Sequence, residues 1–330
     1  MTEIKVLYLS EKDVKSTGVT IKDCIEIIEE VLKAHADGKV IVPPKLFLDM
    51  RDFGFPSDGD VMPAYVLSGN ICGVKWIGGS PENHKLGLPY LFSVLILNEP
   101  RTFRPLAIMS ANLLTAMRTG AATAVAAKYL APDHAENVCI IGAGLQGRYQ
   151  LLALNEVLKI KKVKVFDIEE KVRENYIKEM SEKICAKIEE AKSIKDAADE
   201  ADVIITATTA NEDLIKENWI NKPCFVCSIG TFRELGIEFI RSMDKIIVDH
   251  LEQAKRTGTL MYWFSKGMLS EGDIYAELSH VVECKAERES QDERILAVLT
   301  GMGSQDVSLA RYIYGIAKKK KIGQLLKWPL

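Results

Sequence analysis

Three glycines in the middle of the chain have the spacing of a phosphate-binding turn. They are Gly142, Gly144 and Gly147, in the stretch IIGAGLQG. An apolar strand pattern precedes this stretch and a helix pattern follows it, which is the context in which a GxGxxG sequence binds a dinucleotide. The first glycine permits the tight turn, the second lets a pyrophosphate approach, and the third lets helix and strand pack closely. The sequence therefore predicts a cofactor site, with Leu145 and Gln146 at the N-terminus of the phosphate-binding helix.

An acidic residue follows this turn at a suitable distance. Asp167 ends the next apolar strand, 20 residues after Gly147. A carboxylate at this place in a Rossmann fold accepts hydrogen bonds from the adenosine ribose. Glu169 and Glu170 come soon after it, and three acids would repel the 2′-phosphate of NADP. The sequence therefore predicts NAD rather than NADP, with a glycine turn that binds no nucleotide as the alternative.

Hydroxyl and glycine residues mark the ends of two later strand patterns. The pattern VIITATT ends in Thr206, Thr208 and Thr209, and the pattern CFVCSIG ends in Ser228 and Gly230. Ligands of open parallel sheets bind beyond the carboxyl ends of the strands. We therefore expect these residues, as a group, to line the cofactor cleft. For each residue alone, an ordinary strand end is the alternative. The cofactor-binding candidates among them are Thr206, Thr208, Ser228 and Gly230.

Composition excludes several classes of protein. The chain has 330 residues, enough for two domains, and its 43 basic and 46 acidic residues give a net charge of -3. This balance argues against a nucleic-acid partner. No apolar run reaches the roughly 20 residues that span a membrane, and Glu3 and Lys5 interrupt any signal peptide, so we expect a cytoplasmic protein. Cys224 and Cys227 form a CxxC within a strand pattern, without the further ligands of a metal site.

Two kinds of pattern divide the chain. Thr20 can cap a helix over about residues 21–36, and short strand-like segments follow it, which indicates an antiparallel or mixed sheet. From Asn137 onward, strand and helix patterns alternate, which implies a parallel sheet with helices on its faces. The predicted fold is α/β, with a Rossmann-type parallel-sheet domain and a second, mixed α+β domain. The predicted boundaries are 121–306 for the former domain, and 1–120 with 307–330 for the latter.

The sequence predicts three further long helices. An alanine-rich helix runs from about Ser110 until Pro132 stops it. The charged stretch 169–188 is predicted to form one amphipathic helix. The final helix, from about Asp306 to Lys321, is predicted to return to the first domain. The four lysines that end it are interpreted as a solvated face rather than a nucleic-acid or membrane patch.

Three basic residues stand among apolar or rigid neighbours. Arg118 follows the apolar part of the alanine-rich helix, Lys75 interrupts the apolar strand CGVKWIGG, and Lys45 follows two prolines. Burial of an arginine is costly unless an anion accompanies it, and the planar guanidinium suits a carboxylate. These residues agree with a carboxylate-bearing substrate. For a single lysine on a strand, the alternative is a side chain that extends to solvent.

From about residue 20 to residue 316 the chain resembles the ornithine cyclodeaminase/mu-crystallin family. The resemblance rests on the combination of VPPKLFL, VMPAY, GVKW, MRTGAATAVAAKYLA, IIGAGLQGRYQLLAL, DHLEQAK, DIYAEL and TGMGSQD. It implies a homodimer in which each subunit carries a Rossmann domain inserted into a substrate-binding and dimerisation domain. It also implies an enzyme that binds NAD(P) and acts at the Cα–N bond of amino or imino acids.

The resemblance also implies roles for individual residues. Lys45 and Arg118 would hold the substrate carboxylate, while Lys75 would help to bind it or relay a proton. Lys75 and Arg118 are therefore the catalytic candidates. Met62, in the MPA position, would form a wall of the substrate site. The resemblance adds two cofactor-binding candidates, Thr119 and Gly301.

One position departs from the family pattern. Members that deaminate ornithine carry an aspartate just after the glycine that ends the fifth strand, but here Thr231 and Phe232 follow Gly230. The nearest acid, Glu234, is expected to belong to the turn into the next helix. Because cyclodeamination needs a carboxylate to hold and deprotonate a distal ammonium, the sequence favours net hydride transfer. Phe232 would then favour a less charged substrate side chain.

Several activities are compatible with net hydride transfer. They are those of an amino-acid dehydrogenase, a cyclic ketimine reductase and an opine-type secondary-amine dehydrogenase. Two alternatives of other classes stay open. One is an ornithine cyclodeaminase, in which NAD is reduced and reoxidised within each turnover. The other is a non-enzymatic binding protein of the mu-crystallin type.

Overall fold

The computed structural model describes residues 4–220 and 222–328 and folds as two compact units. Unit 1 comprises Met1–Arg118 and Met302–Leu330, and unit 2 comprises Thr119–Gly301. The predicted domain boundaries lie two residues and five residues further along the chain than these divisions. Within the two described ranges, no helix is both long and apolar enough to cross a membrane.

Unit 1 is built on a mixed sheet. Its strands are β1 (Lys5–Leu9), β2 (Val40–Ile41), β3 (Leu46–Asp49), β4 (Asp58–Val66), β5 (Ile71–Gly79), β6 (Leu91–Asn98), β7 (Pro105–Ser110) and β16 (Gln324–Lys327). They are arranged in the order β16-β1-β7-β6-β5-β4-β2, and β3 also pairs with β4. Strands β1 and β7 are parallel, and the other neighbours are antiparallel. The prediction of a mixed sheet is confirmed.

The helices of unit 1 are α1 (Glu11–Ser16), α2 (Ile21–Ala36) and α11 (Gly303–Lys320), while α3 (Asn112–Leu130) starts in unit 1 and continues into unit 2. Helices α2, α3 and α11 begin where the sequence predicts, or close to it, whereas the sequence did not predict α1. The hydroxyl of Thr20 accepts a hydrogen bond from the Asp23 N–H at 3.1 Å, so the predicted cap of α2 is confirmed. Helix α11 begins three residues earlier than predicted, and its terminal lysines are exposed as expected.

The start of α11 lies directly against the sheet. A Cβ atom at Gly303 would lie 2.7 Å from the carbonyl oxygens of Met62 and Pro63 in β4, so only glycine permits this approach. Met62 lies opposite Lys75 of β5 in the sheet register. The packing therefore brings the first turn of α11 to the part of the sheet that carries Lys75.

Unit 2 contains an eight-stranded sheet in which every neighbouring pair is parallel. Its strands are β8 (Asn137–Ile141), β9 (Lys162–Phe166), β10 (Lys187–Glu190), β11 (Val203–Thr206), β12 (Cys224–Ser228), β13 (Lys245–Val248), β14 (Ala276–Glu277) and β15 (Arg294–Val298). The strand order is β10-β9-β8-β11-β12-β15-β13-β14. The order changes direction between β8 and β11, which is the switch point where such sheets bind ligands.

The helices of unit 2 connect these strands. They are α4 (Leu145–Val157), α5 (Glu170–Ser181), α6 (Ile194–Ala198), α7 (Ile237–Arg241), α8 (Leu251–Ala254), α9 (Thr259–Ser265) and α10 (Leu278–Val282). Parallel strands joined by helices confirm the predicted α/β class. Both cysteines of the CxxC sequence are buried in β12, as the strand interpretation predicted.

The prediction of one helix over residues 169–188 is wrong in its last third. Helix α5 ends at Ser181, a turn follows, and β10 then begins at Lys187 and pairs with β9. The Lys162 ammonium and the Glu189 carboxylate form an ion pair at 3.0 Å across these two strands. The hydrogen bonds that β10 gains at the sheet edge therefore outweigh the helical pattern of its charges.

Candidate functional site

The glycine turn of unit 2 has the geometry that its spacing predicts. Gly142 has a φ of +101°, and a Cβ there would lie 2.4 Å from the Ala207 carbonyl oxygen across the switch point. A Cβ at Gly147 would lie 2.1 Å from the Gly142 carbonyl oxygen. Gly144 instead faces open space, and no side chain caps the helix that it starts. The first N–H groups of α4 are therefore suited to a phosphate, as this fold requires.

Arg148, which the sequence reasoning missed, fixes this turn. Its Nη1 donates to the carbonyl oxygens of Ala143 and Gly144, and its Nε donates to the Glu179 carboxylate at 2.7 Å. The guanidinium also lies 5.3 Å from the ring centre of Tyr176. These contacts orient the carbonyl groups of Ala143 and Gly144 toward the Arg148 side chain. The one available signal was the position of an arginine directly after the third glycine.

Asp167 lies beside the glycine turn. One carboxylate oxygen accepts a hydrogen bond from the Ala143 N–H at 2.8 Å, and the other accepts one from the Glu169 N–H at 3.1 Å. Asp167 is half-buried, while Glu169 and Glu170 are exposed at the start of α5. The carboxylate is therefore in place at the end of β9, next to the N-terminus of α4, as the ribose-binding role requires.

Four predicted cofactor residues gather around the buried side chain of Glu234, which has no exposed surface. Its Oε2 accepts hydrogen bonds from the hydroxyls of Thr206 (2.7 Å) and Ser228 (2.9 Å) and from the Gly230 N–H (3.2 Å). Its Oε1 accepts from the Thr208 N–H (2.8 Å) and hydroxyl (2.7 Å). Glu234 lies in the turn before α7, as expected, and its carboxylate also joins the ends of β11 and β12, which the sequence did not predict.

The remaining candidates of unit 2 lie at separate places in its chain. The Gly301 N–H donates to the buried Asp249 carboxylate at 2.5 Å, and Gln253 Nε2 donates to the Gly301 carbonyl at 2.7 Å. Both partners belong to the stretch DHLEQAK. Thr119 is buried in α3, and Phe232 is half-buried two residues before Glu234.

In unit 1, one carboxylate joins two of the predicted cations. Oδ1 of Asp306 accepts hydrogen bonds from Lys75 Nζ at 2.8 Å and from Arg118 Nε at 3.1 Å. Lys75 and Asp306 have no exposed surface, and Arg118 is 6% exposed. Burial, together with the charge of Arg118, lowers the pKa of Lys75 to about 7, although Asp306 opposes this shift. Lys75 therefore changes its charge near neutral pH.

Lys45 and Met62 lie in the same unit. The Lys45 ammonium forms an ion pair with the Asp60 carboxylate of β4 at 3.1 Å, and Met62 is buried two residues further along that strand. Lys45 is also close enough to contribute to the lowered pKa of Lys75. Unit 1 thus brings together four of the five predicted substrate residues, while Phe232 belongs to unit 2.

These features define a class of protein. The parallel sheet of unit 2, with a glycine turn at its switch point, is typical of dinucleotide-binding proteins. Unit 1 carries buried cations of the kind that bind carboxylates. The chain belongs to the ornithine cyclodeaminase/mu-crystallin family, whose sequence model matches residues 5–321. The predicted family is therefore confirmed.

Individual relatives match almost the whole chain. Alanine dehydrogenase from Archaeoglobus fulgidus is 33% identical, over 98% of this chain and 99% of the relative. A solved Thermococcus litoralis Δ1-pyrroline-2-carboxylate reductase, in complex with NADH and L-proline, is 34% identical with a TM-score of 0.92, over 97% of this chain and 99% of that chain. An archaeal alanine dehydrogenase dimer with bound NAD is 32% identical with a TM-score of 0.92, over 99% and 100% respectively.

We expect Asp167→Ala to raise the KM for NAD about tenfold and to relax selection against NADP. A hydrogen bond to a charged group contributes about 1.5–3 kcal/mol, and removal of the carboxylate also removes its repulsion of a 2′-phosphate. Steady-state kinetics with both cofactors measure the effect, and Glu174→Ala, an exposed acid on α5, is the control. An unchanged ratio of NADP to NAD efficiency would show that Asp167 does not read the ribose.

Proposed function

We propose that this chain is an NAD-dependent oxidoreductase that transfers a hydride at the Cα–N bond of an amino or imino acid. The observation that carries the proposal is the cluster of Arg118, Lys75 and Asp306. It combines a group that suits a carboxylate with an amine that changes its charge near pH 7. Family membership and the glycine turn of unit 2 support the same conclusion.

Arg118 is the proposed carboxylate-binding residue. Its Nε is occupied by Asp306, and no described residue forms a hydrogen bond with its two terminal nitrogens. A guanidinium held in this way offers both terminal nitrogens to a planar carboxylate, which binds them with two parallel hydrogen bonds. Lys45 adds positive charge to the site, although its ion pair with the Asp60 carboxylate partly neutralises that charge.

Lys75 is the proposed proton carrier. A group with a pKa of about 7 is well suited to acid–base catalysis at neutral pH. Reduction of an imine places a hydride on Cα and a proton on nitrogen, and the Lys75 ammonium supplies this proton. In the oxidative direction, the neutral amine accepts it. Because Lys75 has no exposed surface, this exchange requires a small displacement or a relay along the Asp306 carboxylate.

The residues around the glycine turn are proposed to hold NAD. The N-terminus of α4 would bind the pyrophosphate, and Asp167 would bind the ribose. The buried Glu234 carboxylate would keep Thr206, Thr208, Ser228 and Gly230 in the positions from which they line the cofactor site. When bound, the nicotinamide supplies the hydride chemistry.

The environment of Glu234 argues against cyclodeamination. Ring closure of ornithine needs an acid that can hold the distal amine, and Thr231 and Phe232 occupy the places after Gly230. The nearest acid, Glu234, is buried and already accepts five hydrogen bonds. It therefore has little capacity left for a substrate ammonium.

Turnover of an amino-acid panel tests the proposed function. With NAD and the correct amino acid, NADH should accumulate, and with NADH, ammonia and the matching keto acid or cyclic imine, NADH should disappear. Proline and ammonia formed from ornithine without a net change in NADH would instead indicate a cyclodeaminase. Binding of NADH without turnover of any substrate would indicate a binding protein.

We expect Arg118→Ala to lower kcat/KM for the amino or imino acid about 100-fold while the protein stays folded. The loss of a charge-assisted bidentate contact removes about 3 kcal/mol of binding. The KM for NADH, measured alongside the melting temperature, serves as the internal control. Near-normal kinetics in this variant would contradict the assignment.

We further propose that the chain forms a homodimer through one face of the unit 1 sheet. Trp76 of β5 lies opposite Val94 of β6 in the sheet register, and Val61 of β4 separates Trp76 from Leu46 of β3. Phe92 is two residues from Val94, and the side chains of Leu46, Trp76, Phe92 and Val94 are all exposed. A contiguous apolar face of this kind is typical of a protein interface. The solved archaeal alanine dehydrogenase is also a dimer.

Light scattering coupled to size-exclusion chromatography tests the dimer. The wild-type chain should have the mass of a dimer, and Trp76→Glu should shift it to the monomer because it places a charge in the apolar face. Lys318→Glu, at the exposed end of α11, is the control and should stay dimeric. A monomeric wild-type chain, or a dimeric Trp76→Glu variant, would rule out this interface.

A further inference from the structure

Asp306 is the one member of the buried cluster for which the sequence reasoning offered no role. It is the fourth residue of α11, and its partners Lys75 and Arg118 lie 231 and 188 residues away along the chain. Its Oδ1 accepts both hydrogen bonds, whereas Oδ2 is buried and no described residue donates to it. Burial of a carboxylate with one oxygen that accepts no hydrogen bond lowers the stability of the fold. Such a group therefore calls for an explanation in terms of function.

The backbone fixes the position of this carboxylate. Gly303 packs against the carbonyl groups of β4 with no room for a side chain, so the first turn of α11 lies directly on the sheet. The N-terminal turn of a helix also stabilises a negative charge. The Asp306 carboxylate therefore places a negative charge between Lys75 of β5 and Arg118 of α3.

This carboxylate determines which edge of Arg118 remains available. Because Nε donates to Asp306, the side-on edge of the guanidinium is already engaged, and the end with the two terminal nitrogens is left for a ligand. A guanidinium that is anchored at Nε also loses less rotational freedom when it binds a carboxylate. Without Asp306, neither the orientation of Arg118 nor its available edge would be fixed.

The same oxygen acts on Lys75 in the opposite sense to Arg118. The charged groups that act most strongly on the ammonium are Asp306 from α11, Arg118 from α3 and Lys45 from the segment before β3. Two of the three are cations, so Asp306 is the one group of this set that favours the charged form of Lys75.

We propose that Asp306 is a positioning residue that joins the carboxylate-binding Arg118 and the proton-carrying Lys75 into one hydrogen-bonded unit. Binding of a carboxylate at Arg118 then changes the protonation of Lys75, and protonation of Lys75 changes carboxylate binding at Arg118. This inference rests on the proposed function, which assigns those two roles. It adds that carboxylate binding and proton transfer are linked through a single oxygen atom of α11.

The test is the pH dependence of kcat/KM for NADH-linked reduction by wild type and Asp306→Asn. Protonated Lys75 is the active form in this direction, so the wild-type rate should fall as pH rises through about 7. In Asp306→Asn the charge that favours the ammonium is gone. The midpoint should therefore move about one pH unit lower, and kcat/KM below the midpoint should fall about 100-fold because Arg118 loses its anchor.

Two further variants separate coupling from a general structural loss. Asp306→Glu keeps the charge but displaces it, so its midpoint should stay closer to that of wild type while its KM rises. Asp202→Asn removes a buried carboxylate of unit 2 that pairs with Lys222 at 2.7 Å, so it should lower the melting temperature without moving the midpoint. An unshifted midpoint in Asp306→Asn, or equal shifts in Asp306→Asn and Asp306→Glu, would overturn the inference.

A binding measurement on wild type covers the case in which the Asp306 variants do not fold. Calorimetric titration of the NAD-saturated enzyme with pyruvate, in two buffers of different ionisation enthalpy at pH 7.5, reports proton uptake. A carboxylate that neutralises Arg118 should raise the pKa of Lys75, so protons should be taken up by wild type and not by Lys75→Met. Pyruvate binding without uptake would overturn the coupling alone, whereas absence of both binding and turnover would overturn the proposed function with it.

Discussion

One carboxylate oxygen, Oδ1 of Asp306, accepts hydrogen bonds from two buried cations, Lys75 and Arg118. Each of these cations would be strongly unfavourable in its position without an anionic partner. Their burial therefore depends on the first turn of α11, and that turn depends on Gly303, whose missing side chain lets the helix contact β4. The proposed chemistry of unit 1 follows from this packing, because it sets the orientation of Arg118 and the charge of Lys75.

A second buried carboxylate has a comparable part in unit 2. Glu234 accepts hydrogen bonds from groups at the ends of both β11 and β12, which lie next to each other and close to the switch point of the sheet. The carboxylate gives the hydroxyl and backbone N–H donors at these strand ends one common acceptor, which fixes their orientations. In both units, an acid from a distant or irregular part of the chain thus fixes groups that regular strands and helices supply.

The sequence could predict the features that depend on local spacing. The turn from Gly142 to Gly147 and the carboxylate of Asp167 at the end of β9 lie within a single βαβ segment, so strand, glycines and helix could be read together. The two buried acids could not be found in this way. Asp306 meets its partners only after the chain has passed through all of unit 2, and Glu234 lies in a segment without regular structure, where no periodicity indicates burial. The end of the predicted helix 169–188 is wrong for a related reason, because Lys187 and Ile188 belong to β10, which forms through pairing with β9.

The central claim is hydride transfer at the Cα of an amino or imino acid, and isotope transfer measures it most directly. NADH that carries deuterium at C4, prepared as each of the two stereoisomers, is incubated with the protein, ammonia and either pyruvate or Δ1-pyrroline-2-carboxylate, and the products are analysed by mass spectrometry and NMR. The account predicts one deuterium at Cα of the product from one stereoisomer and none from the other. A product without deuterium at Cα from either stereoisomer, or no product from any substrate of the wider panel, would contradict it.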